Sequence, residues 1–224
     1  MLRLIFTATA VITGSSVVYF YIFHQRLSSR IQHQSRHGKL SQKPGNVESA
    51  PDSVFTDEYF TLYDRSSKAT PCASLPSGVP TELLFTKLVR RNMTALSHFP
   101  QALILRALSK APEERKSFTA SHISSLDFSE GDLICGVYRV VLRNKNKVEL
   151  EIKMKNMPWV SGRLVISFQE RGDEVLFSTE TLMWRRADEA RRMPLEKPVV
   201  RWMHETAAWW LIDSGVGYLV DLDS

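Results

Sequence analysis

The residues best suited to chemistry lie close to the C-terminus, in the stretch Val199 to Leu219. It reads VVRWMHETAAWWLIDSGVGYL and holds three of the five tryptophans of the protein together with one histidine, His204. Two small residues, Ala207 and Ala208, follow His204 at helical spacing and would leave a gap beside the imidazole. Because the ordinary pKa of histidine lies near neutrality, His204 is the candidate general acid or base.

Aromatic side chains would supply the apolar wall of such a site. On a helical wheel, Trp202 and Trp209 lie along one edge of the helix, and Trp210 belongs to a broad apolar arc. In predicted strands, Tyr138 and Trp184 would offer a hydroxyl group and an indole N–H, and Tyr138 is the second catalytic candidate. The ligand-binding candidates are Trp184, Trp202, Ala207, Ala208, Trp209 and Trp210. The alternative, a satisfied histidine among core tryptophans, stays open.

Neither a metal nor a cofactor is predicted. The stretch from His204 to Ala208, HETAA, begins like a zincin helix but lacks the second histidine four residues on. The two cysteines make neither a zinc site nor a disulfide framework. The sequence also lacks a GxSxG elbow, a P-loop and a GxGxxG loop, so we expect cofactor-independent chemistry.

The distribution of charge argues against nucleic-acid binding. The whole chain has 29 Lys and Arg against 24 Asp and Glu, which gives a net charge of +5. Six of these bases and none of the acids lie in the first 47 residues. The remainder is therefore nearly neutral, whereas nucleic-acid binding needs a concentrated basic face.

The N-terminus predicts a membrane anchor, which we assign to residues 1–25. Leu4 to Phe23 is 20 residues without a charge, enough for a helix to cross the hydrocarbon core of about 30 Å. A cleaved signal peptide is the alternative. More basic residues follow the stretch than precede it, which places the C-terminal domain in the cytosol, at the endoplasmic reticulum or a mitochondrial membrane. Residues 26–53 are polar and aperiodic, and we interpret them as a basic flexible linker.

The remaining residues, 54–224, predict one α+β domain. The apolar pattern favours an extended lead, two helices and at least four strands joined by short turns, which imply an antiparallel meander. The predicted helices are Glu82–Leu96 and Gln101–Lys110, and the predicted strands are Leu133–Arg143, Lys147–Met154, Gly162–Glu170 and Glu174–Arg186. In the second strand apolar residues alternate with charges, which predicts one wet face. A long last helix would begin at Pro198 and exit at Gly215.

This order of elements resembles the helix-grip fold of the START-like superfamily, which includes lipid-transfer domains and aromatic polyketide cyclases. In that fold a curved sheet grips the C-terminal helix, and a cavity forms between them. The resemblance covers Ser53 to Leu222 and rests on element order without a catalytic motif. A hotdog fold is the alternative, but its main helix comes early in the chain.

The resemblance implies a hydrophobic small molecule as the ligand, and two functions fit it. The first is a membrane-anchored, cofactor-independent tailoring enzyme, a cyclase, isomerase or dehydratase, that acts on a hydrophobic biosynthetic intermediate such as a polyketide or terpenoid. Proximity, exclusion of water and one acid–base group would be its mechanism. The second is a lipid or hydrophobic-ligand carrier without chemistry, or a membrane-tethered adaptor. In either case membrane lipids contact the N-terminal helix.

Overall fold

A seven-stranded antiparallel sheet forms the centre of the protein, of which a computed structural model describes residues 18–223. The spatial order of the strands is β1-β2-β7-β6-β5-β4-β3. The strands are β1 (Gln32–Gly38), β2 (Tyr59–Pro71), β3 (Leu133–Ile134), β4 (Tyr138–Asn144), β5 (Lys147–Lys153), β6 (Ser161–Arg171) and β7 (Glu174–Arg186). An antiparallel sheet in an α+β domain confirms the fold class predicted from the sequence.

The predicted meander corresponds to the run from β3 to β7, with one difference. Short turns join β4 to β5 and β6 to β7 where the sequence predicts them. The first predicted strand, Leu133–Arg143, is instead divided into β3 and β4. Cys135 and Gly136 adopt φ angles of 49° and 67°, and this left-handed backbone reverses the chain.

Helices cover one face of the sheet, which we call the inner face. They are α1 (residues 18–28), α2 (Thr81–Leu96), α3 (Pro100–Leu108), α4 (Pro112–Lys116), α5 (Ala120–Ser125) and α6 (Pro198–Val220). The longest of these, α6, comes last in the chain, an order consistent with a helix-grip arrangement.

Within residues 18–223 no helix combines the length and the apolar character needed to cross a membrane. The predicted anchor, Leu4 to Phe23, lies mostly outside the described residues.

The C-terminal end of α6 differs from the prediction. Gly215, the predicted exit, lies inside the helix, which continues to Val220. A Cβ atom at this position would be 2.5 Å from Oδ1 of Asn92 and 2.6 Å from Cδ1 of Leu88, both in α2. Gly215 is therefore present because α2 and α6 pack closely there.

The opposite, outer face of the sheet is covered by residues 39–55, which we call the strap. The sequence analysis interprets residues 26–53 as a flexible linker, and the structure corrects this. Part of that segment is β1, which pairs with β2 along its whole length, and Val47 and Ala50 of the strap are buried against the outer face. Polar composition is misleading here because the strap is held mainly by polar contacts.

Buried carboxylates of the outer face hold the strap. Glu180 of β7 is 0% exposed and accepts hydrogen bonds from the backbone N–H and the side-chain amide of Asn46, at 3.0 and 2.9 Å. Glu149 of β5, also 0% exposed, accepts from the backbone N–H groups of Glu48 and Ser49, at 2.7 and 2.8 Å. At Glu149 the face predicted to be wet is therefore dry, and the strap satisfies this charge, whereas Lys153 at the end of β5 stays exposed.

Gly45 allows the strap to approach Glu180, and its replacement by alanine should destabilise the fold. The new Cβ would lie 1.9 Å from Glu180 Oε2 and 2.2 Å from the Tyr63 hydroxyl, at a φ of +56°. Gly172, in the turn between β6 and β7, has a φ of +63° and open space around it. We expect Gly172→Ala to lower the free energy of unfolding by about 1–2 kcal/mol because of backbone strain. Gly45→Ala should cost about 1–3 kcal/mol more, because it also overpacks a buried site.

Urea unfolding of the two variants measures this difference directly. Equal losses of unfolding free energy in Gly45→Ala and Gly172→Ala would contradict the close packing of the strap on Glu180.

The attachment of the strap should also depend on pH. Burial alone would raise the pKa of Glu149, but hydrogen bonds from Ser49, Glu48 and Lys147 outweigh it and hold the pKa below its ordinary 4.5. The unfolded chain then binds more protons in acid. This carboxylate therefore contributes stability that is present above about pH 4.5 and is lost as the pH falls through the lower folded-state pKa.

Urea unfolding between pH 3 and pH 7 tests this expectation. The slope of unfolding free energy against pH in the acidic range should be shallower in Glu149→Gln than in the wild type. The exposed Glu130→Gln serves as the control and should keep the wild-type slope. Parallel slopes for all three proteins would show that Glu149 does not hold the strap through its charge.

Candidate functional site

Helix α1 packs along α6 and covers two of its tryptophans. The ring of His24 lies 4.5 Å from that of Trp209 and 5.2 Å from that of Trp202, and its Nδ1 is 2.7 Å from the Thr206 hydroxyl. Two residues beyond the end of α1, Arg30 lies 3.6 Å from Asp213 in an ion pair. Because partner numbers rise together, the two helices run parallel. Trp202 and Trp209 therefore form part of a helix–helix contact in this structure.

The space between α6 and the inner face is filled by side chains, where the resemblance implies a cavity. Trp209, Ile212 and Val216 of α6 are buried in one core cluster with Phe168 and Phe177 of the sheet. Trp210 is half-buried, packs against the same cluster and lies under the guanidinium of Arg91 at 5.2 Å. The alternative that the tryptophans are core residues describes Trp209 well. Ala207 and Ala208 are half-buried on the same helix.

A cluster of titratable side chains joins the N-terminal half of α6 to β1 and β2. His33 Nε2 lies 2.6 Å from Asp64 Oδ2. This hydrogen bond raises the pKa of His33 against the opposing effect of burial. Glu205 lies beside them, and burial followed by the nearby charge of Asp64 raises its pKa. The sequence analysis singled out none of these three residues, because they are distant in sequence and converge only through β1.

His204 lies next to this cluster. Its Nε2 atom is buried and has no hydrogen-bond partner among the described residues. Burial lowers the pKa of His204, and the charge of Asp64 opposes that effect. His204 lines a cavity of about 10 Å³ together with Asp64 and Arg201. That volume admits about one water molecule, so this cavity is too small for an organic ligand.

The other candidates from the sequence lie elsewhere. Tyr138 is at the start of β4, separated from β2 by three strands in the sheet order, which is about 19 Å at the usual strand spacing. Burial raises the pKa of its hydroxyl to about 12. Tyr138 packs against the core cluster of the inner face, whereas Trp184 points to the outer face and packs with the strap. The structure therefore does not bring Tyr138, Trp184 and His204 together.

A ligand-sized groove opens where β2 and β6 begin and β7 ends. Its volume is about 540 Å³, within the range of small-molecule sites. Strand pairing places Ser161 opposite Trp184 and Tyr59 opposite Arg186, so both pairs open at the same edge. The lining residues are Tyr59, Pro158, Trp159, Ser161, Trp184, Arg185, Arg186, Asp188, Glu189 and Ala190. The sequence analysis singled out only Trp184 of this set.

Trp159 is the aromatic residue of the groove with an unsatisfied polar group. Its indole Nε1–H is buried without an acceptor among the described residues. The guanidinium of Arg191 lies over its ring at 3.8 Å, and Glu189 binds Arg191 at 2.6 Å. This ion pair lowers the pKa of Glu189 to about 2. The groove thus combines aromatic faces and paired charges.

Comparisons with known proteins add little. No protein-family model and no curated protein matches the chain. Among solved structures, that of CalU16 from Micromonospora echinospora is similar, with a TM-score of 0.39 and 9% sequence identity over 86% of this chain and 88% of that chain. At this level of similarity the comparison has no bearing on what the chain does, and the inferences below rest on its own residues.

Proposed function

We propose that the domain binds an amphipathic small molecule in the groove where β6 begins and β7 ends. The main observation in support of this proposal is the cavity of about 540 Å³, which Trp159 and Trp184 line. Ligand sites typically combine apolar and aromatic walls with few polar groups that fix orientation. A planar apolar body would lie against the aromatic side chains, and an acceptor group of the ligand would satisfy the Trp159 N–H.

The charges around the groove favour a ligand with one modest polar group. Arg185 is held by Glu196 at 2.8 Å, and Arg186 by Asp188 at 3.1 Å. Because these guanidiniums are already paired, the groove has no concentrated positive field for a multiply charged anion. A mostly hydrophobic molecule with a single hydroxyl or carboxylate fits this balance.

Binding without chemistry is the form of the hypothesis that the geometry supports best. The groove has no imidazole or thiol in its lining. The candidate acid–base group, His204, adjoins a separate cavity of about 10 Å³, too small for a biosynthetic intermediate. A tailoring reaction at His204 with Tyr138 would also need these two residues to act on one substrate, although His204 lies in α6 beside β2 and Tyr138 lies in β4, separated from β2 by three strands. The carrier is therefore our proposal, ahead of the cyclase, isomerase or dehydratase.

We also propose that residues 1–25 hold the domain at a membrane, on its cytosolic side. The uncharged stretch Leu4 to Phe23 supports this, and the described part of α1 continues it with exposed apolar side chains at residues 18–22. Val199 and Met203, in the first turns of α6, are 69% and 59% exposed. Since α1 and α6 run parallel, these side chains lie at the same end of the domain, where a bilayer would cover them.

Indole NMR of the full-length chain tests the groove. The probe is 2-naphthoate, an aromatic body with one carboxylate, added to ¹⁵N-labelled protein in detergent. The Trp159 Nε1–H resonance, assigned by its loss in Trp159→Phe, should move downfield and saturate because it gains an acceptor. The Trp202 resonance should stay in place, since Trp202 lies on α6, outside the groove. The matched variant Trp202→Phe should bind the probe with wild-type affinity.

Two outcomes would reject the groove as a ligand site. One is the absence of any saturable shift at Trp159. The other is an equal shift of all the indole resonances, which would indicate that the probe partitions into detergent.

Alkaline carbonate extraction of cell membranes tests the anchor. The full-length chain should remain in the membrane pellet. The double variant Val11→Arg/Ile12→Arg should be released, because each central arginine adds about 2.5–3.5 kcal/mol to the insertion free energy. A control with Ser35→Arg, in β1, should stay in the pellet. Release of the wild-type chain would show that residues 1–25 are not an anchor.

A further inference from the structure

Three side chains with metal-ligating atoms converge from three elements at the N-terminal half of α6. His33 comes from β1, Asp64 from β2 and Glu205 from α6, and one ligand atom of each lies within 4.8 Å of the others. The fold fixes these elements relative to one another. β1 pairs with β2, and Lys68 of β2 donates to Asp213 of α6 at 2.6 Å. The position of the three atoms therefore does not depend on a mobile loop.

His204 supplies a second, independent observation. Its Nε2 atom is buried without a hydrogen-bond partner in the described part of the chain, which is rare for a buried polar group. The cavity of about 10 Å³ beside it is also lined by Asp64, and it has about the volume of one water molecule. A water molecule there, bound to an ion held by Asp64, would give this nitrogen its partner.

The charges of the cluster also favour a cation. Asp64 and Glu205 are two carboxylates close enough to influence each other, and His33 and Arg201 are the cationic or basic groups near them. An ion of charge +2 between the carboxylates would offset their mutual repulsion at short range. An imidazole with two carboxylates is a ligand set that zinc accepts, whereas magnesium and calcium favour oxygen ligands.

We propose that His33, Asp64 and Glu205 bind one divalent transition-metal ion of the zinc class. Ligand atoms at about 2.0–2.2 Å from tetrahedral zinc lie about 3.3–3.6 Å apart. The widest separation allowed by the present limit of 4.8 Å must therefore close by about 1.2–1.5 Å. His33 Nε2 and Asp64 Oδ2, now 2.6 Å apart, must open by about 0.7–1.0 Å. The hydrogen bond between His33 and Asp64 is replaced by two bonds to the ion. The fourth position is left to water, which His204 orients.

This site is independent of the groove, and its sequence signature is weak. The three ligands are separated by 31 residues from His33 to Asp64 and by a much longer stretch to Glu205. The sequence analysis looked for a second histidine four residues after His204 and for cysteine ligands, and neither search involves these three residues. The ligand set arises instead from strand pairing and helix packing.

Zinc titration of the full-length chain tests the proposal. The protein is purified in detergent, stripped with EDTA, dialysed and titrated with ZnCl₂ by calorimetry. We expect one ion per chain and a rise in the midpoint of thermal unfolding on addition of Zn²⁺, because a ligand of the native state stabilises it. Substitution with Co²⁺ should give the visible absorption of a low-coordinate site.

Two variants remove single ligands. Glu205→Gln and His33→Gln should each weaken Zn²⁺ binding by more than about 100-fold, beyond the loss caused by a group that only orients a ligand. Glu205→Gln keeps the side-chain volume, so its apo form should unfold near the wild-type midpoint in EDTA. The control His98→Asn, at the exposed C-terminal end of α2, should bind Zn²⁺ as the wild type does.

The proposal is overturned if the wild type shows no saturable Zn²⁺ binding, or if Glu205→Gln retains wild-type affinity. It is also overturned if His98→Asn loses binding to the same extent, which would indicate scattered surface histidines.

Discussion

Two carboxylates without solvent access, Glu149 and Glu180, determine how this chain folds around its sheet. Backbone N–H groups of the strap are their hydrogen-bond partners. If the strap left the outer face, both charges would remain on a surface built to be dry, and breaking a buried charged contact typically costs about 3–5 kcal/mol. Lys147 reinforces the arrangement, because its ammonium lies 3.0 Å from Glu149 and donates to the carbonyl of Asn46 at 2.9 Å. The strap is therefore a structural layer of the domain.

The strap also determines where a site can form. It continues directly from β1, which lies beside β2 at the edge of the sheet. Fixing the strap therefore fixes β1 and brings His33 to Asp64. With the inner face packed by α6 and the outer face covered by the strap, the ligand-sized space described here lies at the end of the strands. The groove near Trp159 and Trp184 has this position, which explains why Trp184 meets a cavity although it faces away from α6.

Local patterns predicted the parts of this fold that depend on near neighbours. Alternation and turn residues located β5, β6 and β7, and apolar periodicity located α2 and α6. The predictions failed where the local structure or burial depends on a residue that is distant in sequence. From sequence Gly215 is typical of a helix end, but here it allows the close packing of α2 on α6. Likewise, Glu149 of β5 has the spacing of a solvent-exposed charge, but the strap covers it. Polar residues 26–53 likewise gave no local sign that Glu149 and Glu180 would bind them.

Dependence on residues distant in sequence also explains why the sequence singled out His204 but not the groups around it. His204 stood out because its type and its alanine neighbours are visible in one short stretch. In the structure its Nε2 atom is buried and has no partner among the described residues. Its chemical neighbours are Asp64 and His33, which share no spacing with it. A histidine acquires a function from the groups that converge on it. In this chain that convergence depends on β1, and therefore on the buried carboxylates that hold the strap behind it.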